Sequence, residues 1–199
     1  MTLQEILDMI ALKYPHALTN AQVISMINDV QRRLFRTIYK PVTADVYDII
    51  ADNPFYPVDY SSPSQTTLDV VVNGKEYPYQ DINLSSQSYY YYIEDDNTIG
   101  LYPTPTTSIT AGLTVFHYKD PATLTESNLS ASPDFDADWH MIIVYRVCRQ
   151  IAEIAQDGDM VQNFTADSNT IETEYRRSKR ARQTRVQDVY GVGRRWASR

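Results

Sequence analysis

Leu3, Ile6, Leu7, Ile10 and Tyr14 recur at three- and four-residue spacing, which predicts an amphipathic helix that Pro15 ends. A second helix is predicted from a Thr19-Asn20 cap to about Lys40, with Val23, Ile24, Ile27, Leu34, Phe35 and Ile38 on one stripe and Pro41 as its stop. Gln31, Arg32, Arg33 and Arg36 lie mostly off that stripe, on a solvated or intersubunit face. From about Val42 to Lys119 the period changes from 3.6 to 2, and short apolar or tyrosine-rich runs alternate with turn clusters. Leu68–Val72, Asn73-Gly74 and Lys75–Tyr77 predict a hairpin, because Asn-Gly suits the positive φ of a type I′ turn. Tyr89–Ile93 and Thr98–Tyr102 are expected to pair across an acidic turn, and Ile109–Tyr118 forms the last long strand.

The chain then returns to helix. Leu124–Phe135 reads as a polar connection, and Asp134, Asp136 and Asp138 lie where negative charge favours the open N–H groups of a helix start. Trp139–Ala155 is apolar at nearly every position, interrupted by Arg146, Arg149 and Gln150, which predicts the central helix of a bundle. A further helix is predicted from about Met160 to Gln183, with Met160, Phe164, Ile171 and Tyr175 inward. The expected class is therefore α+β: a helical bundle with an inserted small antiparallel β-sandwich or barrel and an extended C-terminal arm. Its parts are N-terminal helices over 1–41, the β subdomain over 42–120, C-terminal helices over 121–183 and a basic arm over 184–199.

Charge sharpens that division. Tyr175–Arg199 holds nine basic residues against the single acid Asp188, whereas Met1–Glu174 holds nine basic and 24 acidic residues. An acidic body with a basic arm points to an interaction segment. A solvated tail, a nucleic-acid binder with Tyr190 and Trp196 stacked on bases, and a protein-docking arm all fit the composition. Docking on an acidic protein surface is favoured, since interface anchors are typically Trp, Tyr and Arg, and the acidic body would repel a duplex. The 16 tyrosines suit either an interface or a half-solvated sheet.

Candidate chemistry changes the picture little. Cys148 is the one cysteine, so no internal disulfide forms, and it stands in an apolar run without a neighbouring base. His16, His117 and His140 fall in a loop, a strand and a helix, without metal-site spacing. Asp134-x-Asp136-x-Asp138 opens like a calcium loop, but Trp139 and Tyr145 stand where glycine and glutamate are required. No phosphate loop or nucleophile elbow is present, so neither catalytic residues, metal nor cofactor is expected. No apolar run of about 18 residues occurs and the first residues lack a signal pattern; a soluble product made in the cytoplasm is expected.

The order of parts resembles the head-to-tail connector, or adaptor, proteins of tailed bacteriophages. The likeness is carried by Ile99-Gly100-Leu101-Tyr102-Pro103-Thr104-Pro105, the strand and turn Leu113–Leu124, the acidic loop Ser132–Asp136, and helices like Trp139–Asp157 and Asn163–Arg182. The resemblance implies a structural neck protein without enzyme activity, forming a ring, typically of twelve copies, beneath the portal. Its implied partners are the portal protein, a downstream tail or neck protein and further copies of itself; the acidic body adds the expectation that DNA passes through the channel without specific binding. Stopper, terminator and tubular tail proteins are the neighbouring alternatives. By position the resemblance assigns portal docking to Arg185, Val189, Tyr190, Arg194, Arg195 and Trp196.

Overall fold

The computed structural model describes residues 1–60, 66–81, 87–95 and 97–190, with side chains to Lys179. Among these the protein is mixed α+β, with four α-helices and seven strands. Met1–Leu34 and the chain from Pro121 onward form one compact unit, and Phe35–Asp120 forms the other.

In the helical unit, α1 (Leu3–Lys13) starts at Thr2, whose hydroxyl and the Glu5 carboxylate form a reciprocal capping box. Two more of its first amides are satisfied by the connection, Leu3 N donating to Ala131 O at 2.7 Å and Gln4 N to Leu129 O at 3.0 Å. α2 (Asn20–Leu34) starts at Thr19, which exchanges bonds with Gln22. α3 (Met141–Ile154) follows a 3₁₀ turn, Ala137–Trp139, and packs against α1, α2 and α4 (Gly158–Tyr190). Ile142, Ile143, Val144 and Val147 are fully buried, as the sequence of a central helix requires. Asn28 fastens the returning chain to α2: its amide donates to Leu124 O and its carbonyl accepts from Leu124 N, both at 2.9 Å.

Two expectations are corrected. The second helix does not run as α-helix to Lys40; it ends at Leu34 and continues as a π turn, Phe35–Tyr39. Lys40 N donates to Phe35 O at 3.0 Å, five residues back, and Lys40 takes φ 43°. Pro41 disfavours the right-handed helical region for Lys40, and the run of aromatic and β-branched residues before it is a weak α former. The last helix does not stop at Gln183 but reaches Tyr190. Arg180, Ala181, Arg182 and Gln183 are strong helix formers, and the first breaker is Gly191. Asp136 and Asp138 do stand at the start of the 3₁₀ turn that leads into α3, where their charge was expected, although neither gives a side-chain cap. Asp134 accepts from Ala122 N at 3.0 Å, and Asp136 pairs with Lys179 of α4 at 3.1 Å.

The β unit holds a four-stranded antiparallel sheet, ordered β1 (Val42–Ile49), β7 (Ile109–Tyr118), β3 (Thr67–Val72), β4 (Lys75–Tyr77). A three-stranded antiparallel sheet is ordered β2 (Phe55–Pro57), β6 (Thr98–Tyr102), β5 (Tyr90–Asp95). The hairpin at Asn73-Gly74 has φ values of 47° and 75°, as its turn type demands. Inward residues of both sheets, among them Tyr56, Val70, Tyr91, Ile99, Leu101, Leu113 and Val115, make one buried cluster. On β1 every second residue faces out, and Val42 and Val46 are 57% and 55% exposed. Among the described residues β1 pairs only with β7, so its other edge is open.

Candidate interaction surfaces

The six positions assigned to docking divide at the end of α4. Arg185, Val189 and Tyr190 belong to its last turns, while Arg194, Arg195 and Trp196 lie outside the described residues, as do the side chains of the first three. Upstream, the helix is tied in by Phe164, Ser168, Glu172 and Tyr175, a buried seam at helical spacing. Met160 and Ile171, expected inward, are only half-buried. Tyr175 is 1% exposed between Phe135 and Trp139, at centroid distances of 5.3 and 5.5 Å. Lys179 follows one turn beyond the seam and pairs with Asp136. Burial is the largest single influence and would lower the Lys179 pKa, but the hydrogen bond and charge of Asp136 together with Tyr175 outweigh it and hold the ammonium above its usual range.

Two polar members of that seam, Ser168 and Glu172, form one wall of a groove of about 170 Å³. Val30 and Arg33 of α2 form the other, and Arg146, Arg149 and Gln150 of α3 form the floor. The Arg146 guanidinium clasps Glu172, with Nε 2.6 Å from Oε1. Arg149 Nε lies 3.3 Å from Glu153 Oε1. Arg146, Arg149 and Gln150, polar interruptions of an apolar helix in the sequence, thus share one face in the fold. Their spacing of three and four residues was the signal that they share one face.

The titratable groups inside the two units are held by structure. His140 Nε2–H donates to Phe135 O at 2.9 Å, and its Nδ1 accepts from Met1 N at 3.0 Å. Burial lowers the His140 pKa against the opposing hydrogen bonds. His117 stacks on Tyr60 at 3.8 Å, with Nε2 2.8 Å from Asp45 Oδ2. Burial pushes the Cys148 thiol up to about 12, which leaves it an inert hydrophobe. Among the described residues, no three His, Cys, Asp or Glu side chains converge as a metal site, and no helix is long and apolar enough to cross a membrane.

The described residues present three surfaces: exposed valines on an edge strand, an arginine-lined groove between helices, and a helix leading into a basic segment. Residues 1–196 match the family of the SU10 adaptor protein. The chain belongs to that family. As an SU10 adaptor family member it is a structural adaptor protein of a bacteriophage, acting among head and tail components of the virion. No curated protein matches the chain.

Proposed function

We propose that this adaptor forms a ring beneath the portal vertex, joins the DNA-filled head to the tail, and performs no chemistry. The match to an adaptor family over residues 1–196 carries the reading, and the charge division supports it. The ring is expected to hold twelve copies. The segment from Thr184 reaches the portal protein, with Arg185, Val189, Tyr190, Arg194, Arg195 and Trp196 as its docking residues. Arginines give bidentate bonds to carboxylates, and the spaced apolar and aromatic residues give anchors that exclude water around them. The β unit faces the downstream tail or neck protein, a role favoured by the exposed Val42 and Val46 of β1 and by Ile50 just past its end. Carboxylates of the body repel DNA, so the genome passes through the channel unbound.

Removal of residues 184–199 tests the reading. The described buried seam of α4 ends at Tyr175, so the truncated protein should keep its fold by circular dichroism. It should then fail to join portal-bearing heads in an attachment assay. Attachment at the full-length level would refute the docking role.

A further inference from the structure

Lys119 N donates to Pro41 O, which makes those two residues a hydrogen-bonded pair of the β1–β7 ladder. Such pairs alternate along an antiparallel ladder, so Thr43 and Asp45 turn their backbone groups toward β7. Val42, Ala44 and Val46 turn theirs to the open edge, where no strand pairs with them among the described residues. The side chains of the same three residues are exposed. Edges of this kind are ordinarily blunted by a lysine, a proline or a central bulge. The run Val42–Val46 has none of these, since Pro41 precedes it and the irregularity of β1 falls later, between Tyr47 and Ile49.

The order of residues along this edge is self-complementary. Val42 and Val46 stand at equal distances on either side of Ala44, with Lys40 before them and Asp48 after. Two copies of β1 laid antiparallel, Ala44 opposite Ala44, set Val42 against Val46 twice and bring Lys40 toward Asp48 twice. Lys40 Nζ lies 5.6 Å from the centre of the Tyr118 ring, and Asp48 Oδ1 accepts from Ala111 N at 2.7 Å. Neither contact supplies an opposite charge. The neighbouring registers are poorer. One sets Asp45 face to face with Asp45, and the other sets Val42 against Ala44 and Val46 against Lys40. Like charges directly opposite destabilise a strand pair, whereas paired β-branched side chains support it.

We propose that two copies of the free protein pair through β1, antiparallel and two-fold about Ala44, and that this dimer covers the β1 edge until a copy joins the head. The contact makes the two four-stranded sheets one continuous antiparallel sheet. It uses the same patch on both copies, so it closes at two and leaves no open β1 edge. A second β1 is the occupant that matches the order of valines and charges at both ends. One strand of eight residues offers less than the about 800 Å² per partner of a stable interface, so the dimer dissociates readily. The edge is then free for the downstream protein in the virion. That hand-over rests on the role given to the β unit above, whereas the dimer itself does not.

Ala44→Cys tests the symmetry, because it sets two thiols beside the two-fold axis with Cα atoms about 5.5 Å apart, within disulfide reach. On oxidation the free protein carrying it should cross-link to a dimer. Val42→Cys and Val46→Cys should each fail alone and cross-link when mixed; the native Cys148 is buried and does not compete. Val46→Lys should raise the dimer dissociation constant about tenfold in sedimentation equilibrium, since symmetry counts the change twice. Mixing Val46→Lys with Val42→Glu should recover a dimer of one chain of each. Circular dichroism checks that every variant folds. A wild type that stays monomeric up to millimolar concentration, a dimer indifferent to Val46→Lys, or no cross-link at Ala44→Cys overturns the proposal. Monomers whose joining to tails is abolished by Val46→Lys would give the edge to the downstream protein alone, and overturn it too. Free dimers together with heads that carry no ring would sink the ring reading and spare this contact; monomers together with ringed heads would do the reverse.

Discussion

The two compact units bury different kinds of side chain. The helical unit fills its interior with Leu3, Ile6, Ile10, Ile27, Ile142 and Ile143, all fully buried. The β unit uses Tyr56, Tyr60 and Tyr91 beside its aliphatic residues. Each of the first two keeps its hydroxyl bonded, Tyr56 to Asn53 O at 2.8 Å and Tyr60 to Thr67 Oγ1 at 2.7 Å. Burial pushes Tyr60 and Tyr91 up to about 12, so both stay protonated across ordinary pH. The contrast teaches where each unit can spare polarity. A helix packed by branched aliphatics still has a free face for arginines, whereas a thin sheet stack must reach its own rim with amphipathic rings.

The largest expected test of that contrast is Ile143→Ala. It removes a fully buried side chain from the central helix and should cost about 2–5 kcal/mol, read by urea unfolding. A loss under about 1 kcal/mol would show that the helical interior is less close-packed than its burial implies. Next comes the ion pair behind the groove. Glu172→Gln leaves Arg146 half-buried against a neutral amide, and a loss of about 1–3 kcal/mol is expected after allowance for partial solvent access. A smaller effect belongs to the β unit, where the Tyr92 ring lies over Gly100. A Cβ built there would meet Tyr92 Cζ at 2.2 Å. Gly100→Ala should therefore cost about 1 kcal/mol by forcing the ring to lift, and much less in a Tyr92→Ser background. Equal costs in both backgrounds would remove the ring from the explanation.

The gentlest effect is one of pH. Burial depresses the pKa of His140 in the fold, so below about pH 6.5 the unfolded chain takes up a proton that the folded chain refuses. Stability should be independent of this group above that pH, and should fall as pH drops from there toward the folded pKa. His140→Gln should flatten that part of the stability curve, measured by denaturant titration from pH 7.5 to 5. An unchanged slope would mean that the ring is already solvated.

Local order was legible in the sequence, and long-range order was not. The stripe of α1, the Thr19 start of α2, the Asn73-Gly74 turn, the β5–β6 pair and the whole of β7 follow from spacing and turn chemistry. The π turn did not, because Phe35, Ile38 and Tyr39 continue an apolar stripe that conceals the strain imposed by Pro41. Nor did the sheet order, in which β7 separates β1 from β3 although both precede it by many residues. For the candidate site, the charge split was visible, but the groove needed three helices to meet. Arg33 and Arg146 are neighbours only in the folded chain, and Glu172 is buried where the apolar pattern favoured Ile171.

The first and last strands of the β unit zip together from their outer ends: Val42 stands opposite Tyr118, and Lys119 N donates to Pro41 O at 2.8 Å. The unit's two ends thus lie side by side, latched by its own first and last strands. Length added or removed between those strands need not pull the two ends apart, so the insert can tolerate change within itself.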